Sequence, residues 1–392
     1  MWIEREISAS LLSRKALGIL ALVGVRQAGK SALLRRADPN RRWVSLDDIG
    51  LRDLANQDPD LLLRTHPPPL IVDECQLAPP LFPALKRLVD DRRAAGLRDT
   101  AVWLTGSHQL LIDSRIKESL AGRTTFRTLH PLSISELASA GLQAGALFRG
   151  GFPELVWDSA PSPVDYFDAY LRTVVERDVV LAAGITKTTP FTRLVRLLAL
   201  RVGNLLNLSE LARDAAVAVS TASDWVSALE RMGLVHLVSP MAPSLSSRLV
   251  KTPKVFLCDT GLAARLQGWT TPEQLSASPQ VGALFENQVL LEVMKARDHH
   301  GLPWSIHHWR TRDGEEVDLI VESTPGRRVA LECKWTRPRS RHLERPRALA
   351  HALGDIPFWV VSELGPTALR TDGTGFVGLD DLSRTLRDAL DG

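Results

Sequence analysis

Short apolar runs alternate with stretches of helical period through the first third of the chain. Ala16-Leu-Gly-Ile-Leu-Ala-Leu-Val23, Trp43-Val-Ser-Leu46, Leu70-Ile-Val72 and Val102-Trp-Leu104 each read as a buried strand, and Leu81 to Ala95 has the spacing of a helix. This alternation predicts an α/β fold, a parallel sheet with helices on both faces. The runs end in small or acidic residues: Gly24, Asp47-Asp48, Asp73-Glu74 and Thr105-Gly-Ser107. Open α/β sheets bind ligands at those carboxyl ends.

Further along, the pattern changes. Val164 to Ala183 predicts a helix whose Tyr166, Phe167 and Tyr170 form a packing stripe. Between Leu205 and Pro240, Ser209 is expected to cap one helix through Asp214 and Ser220 to open a second. Gly233 stops that helix, and Leu234 to Val238 begins a strand. Two helices, a turn and a strand outline a winged helix-turn-helix. Its second helix would enter the major groove in a DNA-binding version, but it offers Arg231 against Asp224 and Glu230, which favours packing against protein. Leu284 to Met294 is helical. Ser305 to Arg310, Glu316 to Val321 and Val329 to Lys334 then read as strands separated by glycine turns.

The length of 392 residues implies several domains, and 44% hydrophobic with 24% charged residues is the balance of a globular protein. A net charge of +3 gives no general pull toward nucleic acid. Arg327, Arg328, Lys334, Arg337, Arg339, Arg341, Arg345 and Arg347, against Glu332 and Glu344, form either a phosphate-contacting patch or a solvated face. Cys75, Cys258 and Cys333 have no metal-ligand spacing and read as small buried residues in a reducing cytoplasm. The N-terminus lacks a signal-peptide layout, and no apolar stretch nears the about 18 residues of a membrane helix. A cytoplasmic location with no membrane partner is expected.

The first apolar run delivers the chain to Gly24, Val25, Arg26, Gln27, Ala28, Gly29, Lys30, Ser31 and Ala32, a phosphate-binding loop opening a helix. Backbone N–H groups in such a loop point at phosphates, with the helix dipole behind them. Lys30 is placed to reach the β and γ phosphates of ATP and Ser31 to ligate Mg²⁺. Asp73 would serve the metal and Glu74 would polarise the attacking water, while Ser107 would sense the γ-phosphate or place that water. Arg123 or Arg127 would bring positive charge to the γ-phosphate of the same or a neighbouring subunit.

In the last third, Asp318 and Glu332 fall on adjacent strands and can converge on one divalent cation, with Lys334 beside them and Glu286 on a preceding helix. That set suits metal-assisted phosphodiester hydrolysis. The alternative is an acid–lysine network on a sheet.

These words resemble a family of bacterial and archaeal AAA-type ATPases. The matching residues are Gly24 to Ser31, Ile71 to Gln76, Leu104 to Ser107, Leu120 to Arg123, Gly150 to Glu154, Arg248 to Lys254, Cys258 to Leu262, Phe285 to Asn287 and Glu316 to Asp318. The resemblance implies an AAA-type ATPase domain over 1–155, a helical subdomain over 156–200, a winged helix over 201–268 and a PD-(D/E)xK nuclease-like α/β domain over 269–392. Departures from the family pattern are Val25 for proline, Ser31 for threonine and Val317 before the first acid. The expected function is a Mg²⁺-dependent, homo-oligomeric ATPase acting on DNA, branched or damaged DNA included. The rivals are a nucleotide-dependent switch that binds a protein partner over an inert nuclease-like scaffold, and an ATP-gated metal-dependent endonuclease.

Overall fold

In the computed structural model, the described residues are 2–11, 17–106, 120–157, 159–180, 183–241, 251–311, 313–324, 326–336, 339–344, 349, 353–363 and 365–391. Ser107 lies outside them, as do Arg248, Arg337, Arg345 and Arg347. Five strands build the first sheet: β1 (Ile19–Val23), β2 (Arg42–Ser45), β3 (Leu70–Asp73), β4 (Val102–Thr105) and β5 (Thr124–Thr128). All pair in parallel in the order β2-β3-β4-β1-β5, so β4 separates β1 from β3. Every residue of β1, β3 and β4 is buried, as continuous apolar runs require when helices cover both faces. The helix read at Leu81 to Ala95 spans Leu81–Ala94.

The helix Pro163–Tyr170 continues as wider π turns over Leu171–Val179, close to the predicted span. Next come the helices Thr188–Leu200, Leu208–Ala215 and Val219–Arg231. The strands β6 (Val235–Val238) and β7 (Lys254–Leu257) follow as an antiparallel ribbon. Two expected caps are corrected. Asn207, not Ser209, caps the helix Leu208–Ala215, accepting from the N–H groups of Ser209 and Glu210; asparagine is among the strongest N-caps and stands one residue before the helix. The helix Val219–Arg231 starts before Ser220, which sits in its first turn after Ala218.

The second sheet is mixed, in the order β12-β13-β11-β10-β9-β8, from β8 (Ser305–Arg310), β9 (Glu316–Thr324), β10 (Arg327–Lys334), β11 (Phe358–Ser362), β12 (Ala368–Leu369) and β13 (Thr374–Gly378). β8, β9 and β10 run antiparallel, while β10, β11 and β13 are parallel. The long helix Val281–His300 packs on β10 and reaches β5 of the first sheet. One apolar cluster therefore runs unbroken from Ile3 to Leu390. A second cluster lines the other face of the first sheet. Among the described residues, no helix is long and apolar enough to cross a membrane.

Candidate nucleotide site and a second charged centre

Glycine makes the phosphate-binding loop possible. Gly24 has φ +148°, and a Cβ there would lie 2.1 Å from the Leu129 carbonyl oxygen, so only glycine lets the segment after β5 pass this close. Gly29, at φ +93°, precedes the helix Lys30–Ala37. The Lys30 side chain folds back, its Nζ donating to the carbonyls of Gly24 (3.0 Å) and Val25 (2.8 Å). Burial pushes its pKa down to about 8, against the pull of Glu74 and Asp73.

The Ser31 hydroxyl donates to Asp73 Oδ1 at 3.0 Å, joining the loop to the end of β3 across the intervening β4. Burial raises the Asp73 pKa, and the bond from Ser31 offsets part of that rise. Glu74 takes the left-handed conformation at φ +54°, and Gln76 Nε2 donates to its Oε2 at 2.5 Å. Thr105, paired with Leu22 of β1, is buried with no hydrogen-bond partner for its hydroxyl among the described residues. Lys30, Ser31, Asp73, Glu74 and Thr105 thus gather at the carboxyl ends of three neighbouring strands.

Arg123 does not join them. It precedes β5, whose Thr124 pairs with Ile19 at the beginning of β1, so it sits at the opposite edge of the sheet. There its guanidinium makes a two-point ion pair with Asp90 (2.6 and 2.9 Å). Within one chain, then, Arg123 lies away from the Lys30–Asp73 cluster, and a role for it at a γ-phosphate would fall to the neighbouring subunit's site. Arg127, paired with Leu22, lies nearer the loop.

Sequence reasoning missed the groups that hold the loop from outside. Arg5 donates through Nη1 to the Ala28 carbonyl (3.0 Å), through Nη2 to the His130 carbonyl (2.6 Å) and through Nε to buried Glu136 (3.1 Å). The Tyr166 hydroxyl donates to Gln27 Oε1 at 2.7 Å, so the aromatic stripe expected only to pack also touches the loop. A small cavity of about 80 Å³ lies beside the loop, lined by Trp2, Ile3, Ala32, Pro153, Val156 and Trp157 among others.

The later sequence words interlock as supports. Asp259 accepts from the N–H groups of Gly151 (2.8 Å) and Leu262 (3.0 Å), so it caps the helix Thr260–Leu266 and clamps the Gly150-Gly151 turn together. Asn287 exchanges two bonds with the backbone of Leu257 (2.8 and 3.0 Å), fixing β7 to the long helix.

The second charged centre assembles Glu286, Asp318, Glu332 and Lys334, with two unforeseen members. The β9–β10 register pairs Leu319 with Leu331, which sets Asp318 opposite Glu332. Lys254, at the start of β7 and 1% exposed, reaches in with Nζ 2.8 Å from Glu286, 2.5 Å from Glu316 and 4.0 Å from Asp318. Asp318 Oδ2 also accepts from the Cys333 N–H at 2.7 Å, and Lys334 pairs with Glu332 at 2.7 Å. Burial, reinforced by neighbouring carboxylates, raises Glu286 to about 8 and Asp318 to about 6. Burial alone would lower Lys254, but Glu286, Asp318 and Glu316 carry it above the ordinary lysine range.

With the lysine in place, Glu286 and Glu316 do not fit a shared divalent cation. Oxygen ligands hold such ions at about 2.0–2.6 Å, and the Lys254 ammonium already stands 2.8 and 2.5 Å from the Oε1 atoms of these two residues. The ligand atoms of Glu286, Asp318 and Glu332 do not all lie within 4.8 Å of one another. Among the described residues, the trio within 4.8 Å of one another is Glu6, Glu136 and His299. There Glu136 is already taken up by Arg5 and by the N–H groups of Glu6 and Ser133. Asp318 and Glu332, the two acids expected to hold a metal, face each other across β9 and β10, and Lys254 stays 4.0 Å from Asp318.

Comparison with known proteins gives the site its context. The family described as "AAA domain" matches residues 17–138, the span of the loop and its strands. Two domains of unknown function, DUF8612 and DUF4143, match residues 142–273 and 281–378. The uncharacterized protein Rv2008c of Mycobacterium tuberculosis is 31% identical over 363 residues, covering 91% of this chain and 78% of that protein. The chain belongs to the same family as that mycobacterial protein, and its residues 17–138 are of the AAA-domain type. An uncharacterized protein of Haemophilus influenzae is 23% identical over 336 residues, covering 77% of this chain and 79% of its own. Among solved structures, the Walker-type ATPase PABY2304 of Pyrococcus abyssi aligns with a TM-score of 0.42 at 16% identity, over 68% of this chain and 96% of that one. The AAA-domain assignment places a nucleotide-binding type of fold around the Lys30–Asp73 cluster; the relatives are themselves uncharacterized and carry no activity over to it.

Proposed function

We propose that the protein binds and hydrolyses ATP with Mg²⁺. The observation that carries this reading is the 3.0 Å bond from Ser31 to Asp73 beside the buried Lys30. In this reading the loop from Gly24 to Ala32 receives the phosphates and Lys30 binds the β and γ oxygens. Ser31 and Asp73 would hold the Mg²⁺, which when bound neutralises phosphate charge. Glu74 polarises the attacking water, Thr105 offers its unspent hydroxyl to the γ-phosphate, and the apolar cavity lined by Trp2 and Trp157 takes the base. Lys30→Ala should abolish both fluorescent-nucleotide binding and phosphate release. Unchanged nucleotide affinity in that variant would end the reading.

DNA, branched or damaged forms included, is the proposed macromolecular partner, with the ATPase acting as a homo-oligomer. One observation favours a second reading. The helix Val219–Arg231 ends in Arg231 but also carries Asp224 and Glu230, which suits a protein-binding winged helix driven as a nucleotide-dependent switch. Gel-shift titrations with duplex, single-stranded and four-way DNA across a salt series separate the two readings, because phosphate contacts must weaken with salt. Size-exclusion chromatography with and without ATP tests the oligomer.

A further inference from the structure

The strand β7 brings a buried lysine in among the C-terminal carboxylates. We propose that Lys254 is the permanent cation of the Glu286–Glu316–Asp318 centre, that this centre latches the β6–β7 ribbon to the second sheet, and that it accepts a divalent cation only when the ammonium is removed.

The geometry supports each part. Lys254 Nζ lies within 2.8 Å of both Glu286 and Glu316, which belong to different elements, and 4.0 Å from Asp318. An Mg²⁺ or Mn²⁺ ion bound to the same oxygens would be pressed against a buried ammonium, and like charges at that separation repel strongly in a poorly solvated interior. Other oxygens of the group are engaged as well: Asp318 Oδ2 by the Cys333 N–H, Glu316 Oε2 by Arg310 at 3.2 Å and Glu332 Oε1 by Lys334. The same ammonium spans a junction that backbone bonds also cross. Met241 N–H donates to the His308 carbonyl (2.8 Å), and His308 N–H to the Ser239 carbonyl (3.2 Å). Arg310 and Lys334 stay paired with Glu316 and Glu332, but removing the Lys254 ammonium takes from buried Glu286 the cation that contacts it, and a buried carboxylate left without a counter-charge favours uptake of a cation from solution.

Mn²⁺ binding by the full-length, nucleotide-free protein tests this, read by electron paramagnetic resonance in a Ser31→Ala background that disables the nucleotide-site metal. The parent should bind no Mn²⁺ that depends on Asp318. Lys254→Met should gain one Mn²⁺ with at least tenfold higher affinity than any site in the parent, and adding Asp318→Asn should abolish the gain. Mn²⁺ bound by the parent and lost with Asp318→Asn alone overturns the proposal, and this arm does not require Lys254→Met to fold. A folded Lys254→Met variant that gains no Mn²⁺ overturns it as well. Fluorescent-nucleotide binding by the Lys254→Met chain carrying native Ser31 should match the wild type, so loss of the ATPase reading and loss of this one are told apart.

Discussion

Arg5→Met offers the strongest test of how the loop is held. The substitution keeps an unbranched apolar stem while deleting the guanidinium that touches Ala28, His130 and Glu136. The two side chains are 4% and 1% exposed, so Glu136 would be left as a buried carboxylate without its counter-charge. Breaking one partner of a buried ion pair costs about 3–5 kcal/mol. Glu136 retains the N–H donors of Glu6 and Ser133, which draws the expectation to the lower end, about 3 kcal/mol. The assay is urea unfolding followed by tryptophan fluorescence, run on Arg5→Met, Glu136→Gln and the double variant. Because the two groups share one contact, the double variant should lose about 1 kcal/mol less than the sum of the singles. Nucleotide affinity should fall too, since the Ala28 carbonyl loses the donor that steadies the loop. A single-variant loss under about 1 kcal/mol, with strictly additive singles and unchanged nucleotide affinity, would refute the argument.

Other outcomes follow from the same geometry. Gly150→Ala places a Cβ 2.3 Å from Asp259 Oδ1 at a residue with φ +78°, so thermal unfolding should show a loss of about 2–5 kcal/mol. Arg123→Ala should leave ATP turnover within about twofold of wild type, because the residue lies at the far edge of the sheet; a steady-state phosphate assay reads this. Burial holds the His308 pKa down at about 4, so the native state keeps this ring neutral while the unfolded chain protonates it near 6.5. Stability should therefore fall as pH drops from about 6.5 toward 4, by up to about 1.4 kcal/mol per unit. Unfolding midpoints measured across that range should flatten in His308→Gln.

Much of this was legible in the chain because the signals were local. Continuous apolar runs such as Leu70-Ile-Val72 mark strands covered on both faces, and the order of loop and paired acids along the chain points to the cluster that Lys30, Ser31, Asp73 and Glu74 form at the strand ends. Arg123 is set apart from the loop of its own chain, and the signal existed: it precedes its strand, and in a parallel sheet that puts it at the amino edge. Arg5 and Lys254 were invisible as functional groups for a different reason. Each acts on partners more than twenty residues away, and only the packing of separate elements gives a lone cation its carboxylates. The spacing of Asp318 and Glu332 on adjacent strands brings the acids of the C-terminal centre together, but their charge balance depends on Lys254, which comes from β7, an element far from them in sequence.

The bond between Tyr166 and Gln27 closes a mechanical circuit. Gln27 sits at the bend of the loop, and Tyr166 on a helix whose Asp168 makes a two-point ion pair with Arg265. Arg265 lies on the helix capped by Asp259, and Asp259 returns to Gly151, next to the Pro153 ring that approaches Gly29. The helical segment is thus tied to the loop on two sides, through Gln27 and through the turn at Gly151, so moving it away from the loop breaks bonds at both.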